Sequence, residues 1–367
     1  MLYEDNIEFC GRDSKMAADL LSIYSRMEDK LSEKIYMDRV HYSITGDVGY
    51  IEQMVNRTVR GSAQWQAFCG ILRDKAERSE MYIFGAGIWG NILYHETNRF
   101  IHWTAVIDSY PEGKTVGDLP VISLEKLKDC EGKDICVAIS SYKNGQEMSA
   151  LLQEAGVLRN RIVDAGNVIY QLTEGAIYFD LEQITPRIAR EFFVDAGCFD
   201  GLTTKAFFRW CKNEGYAYCF EPDHENIVTV QRTLSNAVGK YELIEKALWS
   251  KTTTLSMDAK GNFATSVALP NKNDNLPRVE AVALDDLLGD QAVTFVKMDI
   301  EGTELEALRG AEKIITEQKP KLAISIYHKA EDILTIPQLI LEYNSNYKLY
   351  LRHYSFSDYD TVLYAIP

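Results

Sequence analysis

An acid and a pair of glycines mark the first place in this chain where chemistry could occur. Asp195 ends the apolar run Phe192-Phe193-Val194, and the loop Ala196-Gly197-Cys198-Phe199-Asp200-Gly201 follows it. Glycine lets a backbone come close to a ligand, and a helix beginning after such a loop offers free N–H groups to a carboxylate or phosphate. Asp200 lies inside the loop. It would repel a diphosphate and attract a ligand carrying an ammonium group. Glu221 comes 26 residues after Asp195, in Cys219-Phe220-Glu221-Pro222 at the end of another apolar run. An acid in that place can accept hydrogen bonds from both hydroxyls of a ribose. The same pattern also suits a tight strand–helix turn in an ordinary α/β domain.

The run Phe295-Val296-Lys297-Met298-Asp299-Ile300-Glu301-Gly302 adds charge where none is expected. A central parallel strand is covered on both faces and should be almost continuously apolar. Lys297, Asp299 and Glu301 break that rule at the strand's C-terminal end, where open α/β sheets bind their ligands. Buried charges there must be paired or must serve a ligand. A third apolar run, Leu322 to Tyr327, ends in His328, and His353 follows a similar stretch. Several titratable groups would thus converge above one sheet edge.

These residues need strands that end together. Apolar runs predict strands at 191–195, 216–220, 241–245, 294–299, 321–327, 347–351 and 361–366, with helices at 201–213, 223–237, 303–317 and 332–345. Thr303 and Glu306 have capping-box spacing, and Gly310 is placed to end that helix. The polar stretch 251–280 reads as an inserted hairpin and loop. A separate alternation of strand and helix occupies 79–170, with strands at 81–84, 103–108 and 134–140. Its first loop, Gly85-x-Gly87-x-x-Gly90, and Asp108 fit a dinucleotide fingerprint and would make a second nucleotide site. The bland alternative is a tight turn that packs a helix. Residues 1–78 carry helical spacing (Met16, Leu20, Leu21, Tyr24, Met27, Leu31) with no chemical motif, as befits core or a dimer face. The expected division is therefore 1–78 helical, 79–170 Rossmann-like and 171–367 a larger α/β domain.

Composition narrows the partners. Lysine plus arginine number 39 against 54 acids, a net charge of −15, so phosphate backbones and anionic lipid are disfavoured. No apolar run approaches the ~20 residues of a membrane span, and the first residues lack a secretory pattern. The seven cysteines are scattered without a C-x-x-C pair, which points to reduced thiols in the cytoplasm.

The ordered set VDAGCFDG, FEPD, EKALWS, ALDDLL, FVKMDIEGTELEALRGAEKII, PKLAISIYH, LYLRHYS and TVLYA resembles the FkbM-type methyltransferase family over roughly 190–366. The resemblance implies a Rossmann-like S-adenosylmethionine-dependent methyltransferase fold whose mixed sheet has a final antiparallel strand, and transfer to a hydroxyl oxygen. It implies that Asp195, Gly197 and Gly201 hold the methionine end of the cofactor and that Glu221 grips the ribose. Asp223 and His224 would lie near the adenosine, Ala247 and Leu248 against the adenine, and Asp299 and Glu301 near the transferred methyl. An alcohol needs a base as its oxygen is methylated. His328 is the first choice and Glu301 the second, with Lys297 and Asp299 beside them. A divalent metal on Asp299, Glu301 and His328 is the less favoured alternative. The 80–165 stretch, IFGAGIWG through ICVAISSY, resembles the small Rossmann-like domain found ahead of sugar acyltransferases, which tilts the acceptor toward a sugar or glycan precursor. Two other readings stay open: a nicotinamide- or nucleotide-sugar-dependent enzyme using the 85–90 loop, and a cofactor-binding protein without turnover.

Overall fold

Five short runs of mostly apolar residues form the first sheet: β1 (Glu80–Phe84), β2 (Trp103–Ile107), β3 (Val121–Ile122), β4 (Ile135–Ile139) and β5 (Ile162–Asp164). In this computed structural model, which describes residues 12–130, 134–175, 177–186, 190–258, 266–270 and 275–367, they lie parallel in the order β3-β2-β1-β4-β5. Helices cover both faces, so β1, β2 and β4 are buried and read as continuous apolar runs. This parallel sheet with its helices is a small Rossmann-like module.

The chain then builds β6 (Phe192–Ala196), β7 (Tyr216–Phe220) and β8 (Lys240–Ile244). An inserted group follows: β9 (Ala247–Leu248), β10 (Thr253–Asp258), β11 (Ser266–Ala268) and β12 (Arg278–Val282). The last strands are β13 (Phe295–Met298), β14 (Lys321–Ser325), β15 (Lys348–His353) and β16 (Thr361–Ile366). The main sheet runs β15-β16-β14-β13-β6-β7-β8, with β16 antiparallel to both its neighbours. This is the expected mixed sheet with a final antiparallel strand. The inserted strands form their own sheet, β11-β10-β12-β9. Part of the expected hairpin and loop, 259–265 and 271–274, lies outside the described residues, as do residues 1–11.

An aromatic cluster fixes one face of the main sheet. Phe193 stacks on Phe207 at 4.6 Å between ring centres and meets Phe295 edge-on at 5.3 Å. The helix expected at 303–317 is interrupted: an α-helix covers Glu304–Arg309, and after a turn at Gly310 a π-helical stretch covers Ile314–Gln318. The capping box does not form. Thr303 turns its hydroxyl back to the Ile300 carbonyl (3.0 Å), and Glu306 accepts from the Ser250 hydroxyl (2.8 Å). Gly310 ends the helix as expected, because a side chain there would strike the Trp249 carbonyl, 2.2 Å from its Cβ.

The helical start does not stand apart as one segment. Residues up to Met54 group with Ile177–His353 and Ser357–Pro367, while Val55–Ala176 group with Tyr354–Phe356. An exposed edge explains the first grouping. β15 is the outer strand of the main sheet, and its unpaired backbone groups need partners. The Glu28 N–H donates to the Leu349 carbonyl (3.0 Å), the Leu351 N–H to the Ser32 hydroxyl (2.9 Å), and Arg352 pairs with Asp29 (2.8 Å). Among the described residues no helix is long and apolar enough to cross a membrane. Cys69, Cys136, Cys198, Cys211 and Cys219 are free and buried. Cys10 lies outside the described residues.

Candidate active site

The order of the main sheet reverses between β6 and β13. One half of the chain extends from β6 through β7 and β8, the other through β13 and β14. Loops leaving two such strands part in opposite directions and open a crevice at their carboxyl ends. Gly197 leaves β6 and Asp299 leaves β13 at this point. Gly197 has φ +74°, and a Cβ there would stand 2.0 Å from the Asp299 carbonyl. Only glycine fits both the backbone and the approach.

Lys297 and Asp195 are cross-strand partners in the β13–β6 ladder. Both are buried, with Lys297 Nζ 3.1 Å from Asp195 Oδ1. The ammonium directs its hydrogen bonds to the carbonyls of Ala196 (3.1 Å) and Gly197 (2.8 Å), so its pairing with Asp195 is coulombic. Asp195 Oδ2 accepts from Thr204 (2.6 Å). Burial works against the ammonium, but Asp195 and Asp299 together hold it above the usual lysine range. Asp195 and Lys297 therefore set the glycine loop from beneath it. Neither reaches the crevice as the catalytic and cofactor roles expected for them would require.

A crevice open to solvent lies at these strand ends. Gly197, Glu221, Ala247, Leu248, Asp299 and Glu301 of the expected residues line it, with Phe199, Phe220, Lys246 and Val267. Asp195, Gly201, Asp223, Lys297 and His328 stand behind this lining. Gly201, at φ +78°, opens the Leu202–Trp210 helix. Asp223 is spent as the N-cap of His224–Leu234, accepting from the Glu225 N–H (2.9 Å). Glu221 is buried at the end of β7. It accepts from the N–H groups of Phe199 and Asp223 (both 3.0 Å) and from Asn226 (3.3 Å). Burial raises its carboxyl above the usual glutamate range, against the pull of those donors.

At the other end of the crevice is an acidic group. Asp299 accepts hydrogen bonds from the hydroxyls of Tyr178 (2.9 Å) and Tyr327 (3.1 Å). Burial would raise its carboxyl, yet Lys297 and His328 hold it below the usual aspartate range. Glu301 has φ +57°, a left-handed backbone that a residue with a Cβ adopts only at a cost. His328 lies just beyond β14. Its Nε2 is 3.6 Å from Asp299 and 3.7 Å from Glu301, and its Nδ1 is 3.0 Å from Glu304. Burial opposes charge on the ring, but contacts with Glu301 and Glu304 and the charge of Asp299 push it up to about 11. Arg39, from the Lys30–Thr45 helix, donates to the Tyr327 carbonyl (3.0 Å) and the Asp358 carbonyl (2.6 Å), anchoring the backbone beside His328. His353 lies away from this group, on β15 with Nδ1 against Thr361 (3.0 Å).

Glu304, Tyr178, Tyr327 and Arg39 are the site residues that reading the sequence missed. Glu304 had a signal. It shares a helical stripe with Ala307, Leu308 and Ala311, all buried, and an acid on an apolar stripe requires a partner. The metal set expected from the sequence also changes. The donor atoms that lie within 4.8 Å of one another belong to Asp299, Glu304 and His328, with Glu304 in the place expected for Glu301.

In the small module, Gly85 has φ +115°, and a Cβ at Gly90 would meet the Gly85 carbonyl at 2.0 Å. Gly87 precedes the Ile88–Thr97 helix. Asp108 Oδ2 accepts from the Ala86 N–H of the same loop (2.9 Å), and Oδ1 from the Tyr110 N–H (2.9 Å) and Lys114 (2.6 Å). The acid expected to grip a ribose is thus already committed to two backbone N–H groups and one cation.

Residues 195–349 match the model of the Methyltransferase FkbM domain. The crystal structure of methyltransferase FkbM from Methylobacillus flagellatus KT is similar at 22% identity and TM-score 0.45, over 83% of this chain and 99% of that one. Aeropyrum pernix fibrillarin, solved with natively bound S-adenosyl-L-methionine, is similar at 9% identity and TM-score 0.33, over 52% of this chain and 73% of its own. A methyltransferase from Geobacter sulfurreducens has 14% identity and TM-score 0.32, over 61% and 88%. No curated protein matches the chain.

Proposed function

We propose that this S-adenosylmethionine-dependent methyltransferase, whose residues 195–349 form a methyltransferase FkbM domain, methylates a hydroxyl oxygen of a sugar, a glycan precursor or another small molecule. The observation that carries the reading is a crevice lined by one buried acid with apolar neighbours and by two further acids. At one end a buried acid, Glu221, faces apolar walls at Ala247 and Leu248. At the other stand Asp299 and Glu301.

The residues present fit the cofactor. The cradle at Gly197 excludes any side chain, Glu221 keeps lone pairs for ribose hydroxyls, and apolar side chains flank the place for a flat ring. When bound, the cofactor supplies a methyl group on a positively charged sulfur, already activated for transfer. The protein's task is then to orient the acceptor and remove its proton. Lys297 fixes the carbonyls of the glycine loop, and the two tyrosines fix Asp299. Glu301 lines the crevice while His328 sits behind it, so we assign proton removal to Glu301 and give His328 the role of holding the two carboxylates in place. The net charge of −15 favours a small or uncharged acceptor over nucleic acid, and the buried free cysteines suit a reducing, cytoplasmic setting.

Two measurements test this. A thermal-shift panel should show stabilisation by S-adenosylmethionine and S-adenosylhomocysteine but not by NAD(H) or nucleotide-sugars. Stabilisation by NAD(H) alone would move the activity to the 85–90 loop. Second, Glu221→Ala removes a charged acceptor of hydrogen bonds, each worth about 1.5–3 kcal/mol. Calorimetric affinity for S-adenosylmethionine should fall roughly 10- to 100-fold. Unchanged affinity would remove Glu221 from the cofactor site.

A further inference from the structure

We infer that Asp299, Glu304 and His328 bind one divalent cation. Two buried side chains beside Asp299 carry the inference. His328 Nδ1 and Nε2 and Glu304 Oε2 make no hydrogen bond, although His328 is only 9% exposed and Glu304 only 1%. An imidazolium would aim each N–H along a line to an oxygen. Here oxygens lie near both nitrogens, at 3.0 and 3.6 Å, but off those lines. A cation can take the place of the proton on one of those nitrogens, and the Glu304 oxygen without a hydrogen bond gives it a second ligand.

The spacing is close to what such an ion needs. Donors at about 2.0–2.2 Å from one ion stand no more than roughly 4.4 Å apart, and the three here already lie within 4.8 Å of one another. The surroundings are also those of a metal site, whose ligands are held by further hydrogen bonds. The hydroxyls of Tyr178 and Tyr327 orient Asp299, and the Ile300 N–H (2.8 Å) orients Glu304. One imidazole with two carboxylates suits Mn²⁺ or Zn²⁺ better than Mg²⁺. A cation here would draw in the acceptor hydroxyl and lower its pKa, leaving Glu301 an easier proton to take. That role rests on the methyltransferase reading; cation binding does not.

The test is a Mn²⁺ titration of the full chain, without cofactor or acceptor, followed by electron paramagnetic resonance. One bound Mn²⁺ per chain is expected, displaced by Zn²⁺. Glu304→Gln and His328→Asn should each weaken binding at least tenfold. Glu306→Gln, an acid of the same helix that bonds Ser250, should bind as the wild type does. Calorimetry with S-adenosylmethionine on the same variants reports separately on folding and on the methyltransferase reading. Absence of bound Mn²⁺ at millimolar concentration, or equal binding by all the variants, would overturn the proposal. Methyl transfer unaffected by EDTA while Mn²⁺ binds would overturn the role given to the ion.

Discussion

Lys297→Met should lower stability by about 3–5 kcal/mol, the cost of leaving a buried charge without its partner. Asp195 is fully buried, and Lys297 is the cation within reach of it, 3.1 Å away. The Thr204 hydroxyl that remains offers a hydrogen bond but no charge. For a unit of this size the shift corresponds to roughly 6–20 °C in melting temperature. Replacing both residues, as Asp195→Leu with Lys297→Met, removes the orphaned charge and should recover much of that loss. It should not recover cofactor affinity, because the carbonyls of Ala196 and Gly197 still lack the ammonium that sets them. Differential scanning calorimetry and a cofactor titration on the two variants separate these effects. A single variant as stable as the wild type would show that the ion pair contributes nothing.

The cross-strand pairing also shows where a sequence stops being informative. The strands were legible, since buried parallel strands are continuous apolar runs, and those expected at 216–220 and 361–366 coincide with β7 and β16. Lys297 and Asp195 were each visible as charges at a strand end. Their partnership was not, because it depends on β13 crossing back to lie beside β6, about a hundred residues earlier. Read singly, each looked available for catalysis. Asp223 was ambiguous for another reason: an acid before a helix serves as an N-cap or as a ligand group, and here one of its oxygens accepts from the Glu225 N–H. Tyr178 left no signal at all, since it lies in an irregular segment where no periodicity marks which side chains turn inward. The helical start showed an apolar stripe, but of its residues Met27 is buried while Met16 and Leu21 are exposed. What the segment does cover, an edge strand needing hydrogen-bond partners, is a property of sheet order.

Glu301 gives the sharpest separation of function from stability. Its left-handed backbone costs a residue with a Cβ about 1–2 kcal/mol, against the roughly 0.5–1 kcal/mol that glycine loses in conformational freedom on folding. Glu301→Gly should therefore be as stable as the wild type or up to ~1 kcal/mol more so. Relief of repulsion with Asp299 and Glu304 favours the variant, while loss of the Glu301 contact with His328, long at 3.7 Å, works against it. Methyl transfer should nevertheless fall by about 10²–10⁴, the contribution of a positioned base. Glu301→Gln keeps the shape and the strain and removes only the proton acceptor. It should lose the same activity with an unchanged melting temperature. Both variants should keep S-adenosylmethionine affinity, because Glu221 and the glycine loop are untouched. Turnover within tenfold of wild type in both variants would remove Glu301 from proton transfer and return the base to Asp299 or His328. If instead Glu301→Gly loses stability, the left-handed backbone is held for packing. The structure argues otherwise, because this carboxylate lines the crevice and a backbone strained to place it there gains the fold nothing else.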